Sequence, residues 1–368
     1  MYNKTTHTKM ISELLRPNIL RLTPYSSARD EFSGSASVLL DANESHSPLP
    51  YLPNGINRYP NPRNEELRRA IANLKNVDTA NIFVGNGSDE AVDLLYRCFC
   101  NPQKDSALVF PPTYGMYGVC ASINDVTLLE SPLNEQFEIS QSDALEKLAQ
   151  NPKLTFICNP NNPTGNEQAP EVIEYIIAKS KGIVVVDEAY IDFCPQHSVL
   201  PLIYRYKNLV VLQTLSKAWG MAGARIGLAF ASKEIINVLS NVKFPYNVGK
   251  PSTDLALQAI SQTDAFAEFV KSTVAQRQNL ASELALLPIV ERVYPSLANF
   301  LLVKFTNSHC VYKYLLSKGI VVRNRNSQPL CNGCIRITVG SSTENEQLLT
   351  ALRVLNTQFY SNEKTTDN

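Results

Sequence analysis

The sequence predicts an α/β chain, with a mainly parallel sheet between helices joined to a smaller α+β unit. Short β-branched runs alternate with helix-like segments up to about residue 250. Several of those runs are apolar without alternation, as strands covered on both faces must be. After about residue 250 the pattern changes to a long helical stretch, then strand-like runs and a closing helix. At 368 residues the chain exceeds one ordinary core. The expected division is a large domain over 40–248 and a small one built from 249–368, completed by residues 1–39.

In chain order, "NIFVGNG" near residue 81 reads as the first strand and "SDEAVDLLYRCF" as the helix after it. "SALVFPP" near 106 and "LTFICNP" near 154 follow, then the helical "APEVIEYIIAKS", then "GIVVVDEAY" near 182 and "NLVVLQTLSK" near 208. Beyond them, "STDLALQAISQTDAFAEFVKSTVAQRQNLASELALL" reads as one helical region. "NFLLVKF", "GIVVR" and "CIRITVG" read as strands of the smaller unit, before a helix ending near 360.

Composition excludes several function classes. Net charge is zero and the pI is near 6.9, so no basic surface argues for nucleic acid or an anionic membrane. No apolar run reaches the roughly 18 residues of a membrane span, and a cytoplasmic chain is expected. The eight cysteines are scattered rather than set out as a disulfide framework. "CNGC" gives Cys331 and Cys334 the spacing of a metal or redox hook. A structural zinc needs four ligands, no second pair has matching spacing, and no metal is expected.

Polar residues stand where the strands end, and in open parallel sheets that edge binds ligands. Gly85 and Gly87 follow the first strand, Pro112 and Tyr114 the second, Asn159 and Asn162 the third, Asp187 and Tyr190 the fourth, Ser216 and Lys217 the fifth. "GNGSDE" is a glycine turn opening a helix, where free backbone N–H groups attract a phosphate, with Ser88 adding a hydroxyl. It reads equally as a plain turn with Ser88 or Asp89 as the N-cap. The third glycine of a dinucleotide fingerprint is replaced by Glu90. "VVVDEA" resembles the acidic strand of P-loop NTPases, but no G-x-x-x-x-G-K-[ST] accompanies it.

A phosphate cradle, a carboxylate ending an apolar strand and a lysine amine together suit pyridoxal phosphate. Its aldehyde condenses with an amine, its ring nitrogen keeps a proton beside an anion, and its phosphate anchors it. Lys217, Asp187 and the Gly87–Ser88 turn fill those places. Thr214, Ser216 and Arg225 add donors for the phosphate.

On "LTPYSSAR", "LDANES", "RYPNP", "GNGSDE", "FPPTYGMY", "NPNNPTG", "VVVDEAYIDF", "TLSKAWGMAGARIG", "VVRNRN" and "IRITVG", the chain resembles the fold type I aminotransferases over nearly its whole length. Within them it resembles the branch acting on histidinol phosphate and 2-oxoglutarate or glutamate. The resemblance implies a seven-stranded sheet, pyridoxal 5'-phosphate as cofactor, and a homodimer with shared sites. It implies that Lys217, Asp187 and Tyr190 are catalytic and that Gly87, Ser88 and Asp89 contact the cofactor. Tyr114 then stacks on the ring, Asn162 and Tyr190 bond its phenolic oxygen, and Tyr59 reaches the neighbouring subunit's phosphate. Arg336 holds a carboxylate, Tyr25 and Arg323 the second anionic end, and Asn43 belongs to the substrate site. "ESHSPLP" after Asn43 and "CNGC" between the arginines depart from the family pattern. An aminotransferase for other amino acids, or a decarboxylase of phosphorylated threonine, shares every cofactor residue. A regulatory domain of this fold normally carries a DNA-binding segment, for which the first 40 residues are too short and insufficiently basic.

Overall fold

The computed structural model describes residues 10–25 and 38–363, with side chains as far as residue 357. Seven strands form the larger sheet: β1 (Ile82–Asn86), β2 (Ser106–Val109), β3 (Thr127–Glu130), β4 (Leu154–Cys158), β5 (Ile183–Asp187), β6 (Leu209–Thr214) and β7 (Ile226–Ala231). Their order is β1-β7-β6-β5-β4-β2-β3. Only β7 runs against its neighbours, β1 and β6, and the other pairings are parallel.

The unbroken apolar runs follow from this placement, because β4, β5, β6 and β7 are buried at every position. Side chains of a strand alternate between faces. Val184 and Val186 therefore enter one core cluster, while Ile183 and Val185 enter another. This is the fold type I architecture expected from the sequence.

Two strands of this sheet were not legible as runs. β3 is a short edge strand, "TLLE", partly open along its length. β7, "IGLAFA", alternates large residues with the small Gly227, Ala229 and Ala231, and at Gly227 the reason is steric: a Cβ there would lie 2.0 Å from the backbone carbon of Gly87.

The smaller sheet has the order β10-β11-β9-β8, all antiparallel, with β8 (Val290–Val293), β9 (Phe300–Phe305), β10 (Arg323–Asn324) and β11 (Cys334–Thr338). "GIVVR" yields only the two-residue β10; Val321 finds no partner strand and is exposed. Helices Thr263–Ala285, Ser308–Ser317 and Ser342–Glu363 cover this sheet, Leu280, Leu315 and Leu352 joining Leu301 and Ile335 in its core.

The long helical stretch divides into Lys250–Ile260 and Thr263–Ala285. Ala256 and Ile260 of the first half pack into the larger unit's core. Residues 10–20 also pack on the larger unit rather than completing the smaller one. Ile11 and Leu14, one helical turn apart, enter the cluster around Tyr96 and Cys98, and Arg16 N donates to Cys98 O at 2.9 Å. No helix among the described residues is long and apolar enough to cross a membrane.

Candidate active site

The strand ends of β1, β4, β5 and β6, helped by β10 and β11 of the smaller sheet, enclose a cavity of about 390 Å³. Its walls carry Gly87, Ser88, Asp89, Tyr114, Asn162, Asp187, Tyr190, Thr214, Ser216, Lys217, Arg225, Arg323 and Arg336, all expected from the sequence, together with Cys158, Ala189 and Arg325.

Asp187 ends β5 and is 3% exposed. Its Oδ2 accepts from Tyr117 Oη at 2.7 Å and its Oδ1 from Ala189 N at 3.1 Å. Loss of water raises its carboxyl pKa above the usual range, against the opposing pull of those two donors. Next to it, Glu188 is buried and pushed up to about 7 by desolvation. It accepts from Gln213 Nε2 at 2.8 Å and Val199 N at 2.6 Å, which ties the end of β5 to the end of β6.

Lys217 follows β6, and its Nζ lies 5.6 Å from the centre of the Tyr190 ring. Its ammonium is held below the usual lysine range, first by desolvation and then by the charge of Arg336. Desolvation, which disfavours a charge on Asp187, thus disfavours one on Lys217 as well. Tyr190 is 6% exposed, packed edge-on against Phe300, and burial pushes its phenol up.

Gly87, not Ser88 or Asp89, caps the helix Ser88–Phe99, and no side chain bonds the first amides. Gly87 has φ +74°, and a Cβ there would meet Arg225 Nη2 at 2.5 Å. The turn therefore brings backbone N–H groups and a guanidinium to one place, which only glycine permits. Gly87 N donates to Arg225 O at 2.9 Å, fixing the two together. Asp89 lies 3.8 Å from Arg225 Nη2 and accepts from Tyr114 Oη at 3.1 Å.

Thr214 has a different part from the one expected. Its hydroxyl donates to Ile226 O at 3.0 Å and accepts from Ser216 N at 3.1 Å. The hydroxyl proton is thus spent on joining β6 to β7, and Thr214 shapes the turn that presents Ser216 and Lys217. Asn162 accepts from Arg336 Nη1 through its Oδ1, leaving its amide N–H groups for other partners. Arg336 stands opposite Arg323 in the β10–β11 register and lies over the Phe300 ring at 5.2 Å.

Three expected residues lie outside the cavity. Asn43 and Tyr59 line a separate hollow of about 470 Å³ with Tyr246 and Lys250, where Tyr59 stacks on Tyr246 at 4.5 Å. Tyr25 is exposed, and the "SSAR" that follows it lies outside the described residues. Conversely, sequence reasoning missed Arg325 and Tyr117. Arg325 had a usable signal, since residues two apart on an extended chain face the same side. Tyr117 had none, because its link to Asp187 spans 70 positions.

Comparison with known proteins decides the family. The model of aminotransferase class I and II matches residues 39–353. The chain belongs to that family. This aminotransferase is 46% identical over 346 residues to the histidinol-phosphate aminotransferase of Cytophaga hutchinsonii, covering 93% of this chain and 98% of the relative. It is 47% identical over 345 residues to the protein of the same name from Parabacteroides distasonis, covering 94% and 99%. Among solved structures, the histidinol-phosphate aminotransferase of Clostridium acetobutylicum superposes with a TM-score of 0.76 at 25% identity, over 82% of this chain and 91% of that one. The Sinorhizobium meliloti histidinol-phosphate aminotransferase, solved in complex with pyridoxal-5'-phosphate, has the same fold, with a TM-score of 0.75 at 23% identity over 82% and 84%.

Class I and II aminotransferases work with pyridoxal phosphate, and the cavity of this aminotransferase fits that group. The helix start beside Arg225, capped by Gly87 with no side-chain hydrogen bond, suits a phosphate. Asp187, buried and with no cationic partner within ion-pair distance among the described residues, suits a protonated ring nitrogen. Lys217, with its ammonium disfavoured, suits an amine that condenses with an aldehyde.

Proposed function

We propose that this aminotransferase transfers the amino group of L-histidinol phosphate to 2-oxoglutarate, giving imidazole-acetol phosphate and L-glutamate, as a step of histidine biosynthesis. The observation that carries the reading is the cross-strand pair Arg323–Arg336 in the same cavity as Lys217 and Asp187. Two opposed guanidiniums suit substrates bearing anionic groups, which both reactants do. Relatives of that name, matched over nearly their full length, support it further.

When bound, pyridoxal phosphate supplies an electron sink for the substrate carbon that loses its proton. The chain does the rest. Asp187 keeps the ring nitrogen protonated, and Tyr117 and Ala189 hold that carboxylate in place. Lys217 Nζ, whose ammonium is disfavoured by desolvation and by the charge of Arg336, takes up and returns the proton. Tyr190 and Asn162 orient the phenolic oxygen, while Gly87, Ser88, Asp89, Ser216 and Arg225 hold the phosphate end directly or by fixing its donors. Arg336 grips the carboxylate of glutamate, and Arg323 the distal anionic end.

The same reading makes the enzyme a homodimer in which Asn43 and Tyr59 serve the partner's cavity, since they lie outside their own. Their segment also exposes Leu49, Tyr51 and Leu52, apolar surface that a second copy would cover. Eight cysteines without a disulfide fit a cytoplasmic enzyme. Amino transfer from histidinol phosphate, measured beside aromatic amino acids and threonine phosphate, tests the proposal. Preference for either rival substrate over histidinol phosphate refutes it.

A further inference from the structure

Arg325 lines the active-site cavity beside Arg323 and Arg336. Its backbone N donates to Cys334 O at 3.0 Å, so strand pairing continues one step past β10. On that extended chain its side chain falls on the same side as Arg323. Arg323 is itself directly opposite Arg336. Like charges placed opposite each other weaken strand pairing, and a third nearby adds to the cost.

The protein does not neutralise these charges itself. No carboxylate of the described residues forms an ion pair with Arg323, Arg325 or Arg336, and none is among the leading influences on Arg325 or Arg336. The two acids of the cavity wall are engaged elsewhere, Asp89 with Tyr114 and Arg225, Asp187 with Tyr117 and Ala189. Arg325 Nε is buried without a hydrogen-bond partner, and burial with two neighbouring arginines lowers the guanidinium to about 10. An unpaired buried donor on a charged group is costly until a ligand takes it.

The loop is nonetheless fixed. Asn324 Oδ1 accepts from Asn326 N at 2.9 Å and from Asn326 Nδ2 at 2.8 Å, and Asn326 Oδ1 accepts from Gly333 N at 2.6 Å. These bonds join "RNRN" to "CNGC", whose Cys331 and Cys334 are fully buried. The cysteine turn, which the reaction does not use, thus becomes the mount for Arg325.

We propose that Arg325 is a specificity-determining residue, which together with Arg323 forms a site for a dianionic phosphate ester at the end of the substrate remote from the reacting amine. The proposal rests on the function given above and adds to it how phosphate is told from carboxylate. A carboxylate offsets one guanidinium, whereas a phosphate dianion offsets two and presents three acceptor oxygens.

The experiment compares the holoenzyme with Arg325→Gln and Arg325→Lys. Rates of each half-reaction are measured separately with histidinol phosphate and with glutamate, alongside competition by inorganic phosphate at about pH 8. Losing one charge-assisted contact lowers kcat/KM for histidinol phosphate about 10- to 100-fold, mostly through KM. The loss for glutamate is smaller by about fivefold or more, competition by phosphate weakens in parallel, and lysine recovers part of the effect. Equal losses in the two half-reactions, or unchanged phosphate competition, overturn the proposal. If glutamine costs the enzyme its cofactor, the lysine variant is judged by the same two criteria. A parent enzyme that ignores histidinol phosphate refutes the proposed substrate instead, and phosphate competition then still decides the role of Arg325.

Discussion

Tyr117 donates a 2.7 Å hydrogen bond to Asp187 Oδ2, joining two buried side chains from a helix and a strand end. The ring of Tyr117 stacks on Phe156 at 4.7 Å and meets Tyr114 edge-on at 5.5 Å, so its hydroxyl has little freedom to aim elsewhere. This bond and that of Ala189 favour the charged carboxylate of Asp187, against a desolvation that favours the neutral acid and is the larger of the opposing effects.

Tyr117→Phe removes one of those donors with little change of shape. A hydrogen bond to a charged group contributes about 1.5–3 kcal/mol, so cofactor affinity should fall roughly 10- to 100-fold with the fold intact. Asp187→Ala should cost more, on the order of 3–5 kcal/mol, because it strands the opposite charge. Cofactor titration followed by absorbance measures both. Near-normal affinity in Asp187→Ala would make the residue only a turn former.

Lys217 should titrate below an ordinary lysine in the cofactor-free protein, because desolvation and the charge of Arg336 both disfavour its ammonium. The rate of acylation at Lys217 therefore rises with pH through a midpoint lower than the usual value near 10.4. Arg336→Gln removes the larger of the two neighbouring positive charges that act beside desolvation and should move the midpoint up. A midpoint unmoved or lowered by that change would rule out Arg336 as a cause.

Each active site should be shared. An inactive Lys217→Ala chain mixed with an inactive Tyr59→Ala chain should regain activity, because one site of the mixed dimer holds both intact residues. Absence of recovery despite proven exchange of subunits would place Tyr59 outside the machinery.

The two opposed arginines should separate in kinetics. Arg336→Lys keeps the charge but loses the planar fork that grips a carboxylate. It should slow the glutamate half-reaction more than that of histidinol phosphate, which has no α-carboxylate. Arg323→Ala should slow both, by roughly one to two orders of magnitude at limiting substrate. Single-turnover measurements tell the patterns apart, and equal losses for Arg336→Lys would reverse the assignment of the two ends.

Much of this site was readable because residues at strand ends inherit their place from the strands. Asp187 and Lys217 follow long runs of Val and Leu, and a run buried on both faces leaves its last polar residue at the sheet edge. The glycine turn at Gly87 was readable for the same reason, although its N-cap was not. What escaped depended on tertiary contact. The Thr214 hydroxyl is satisfied by Ile226, whose strand alternates Gly and Ala with larger residues and carried little β signal. "GIVVR" has the composition of a strand, yet Val321 meets no neighbour. The hollow around Asn43 and Tyr59 has no signature in one chain if a second chain completes it.

The central claim is that Lys217 is the amine that meets the cofactor's aldehyde. Borohydride reduction of the holoenzyme, followed by peptide mapping, tests it most directly. The account predicts cofactor fixed to the peptide bearing Lys217 and none fixed in Lys217→Ala. Label on any other lysine would contradict it.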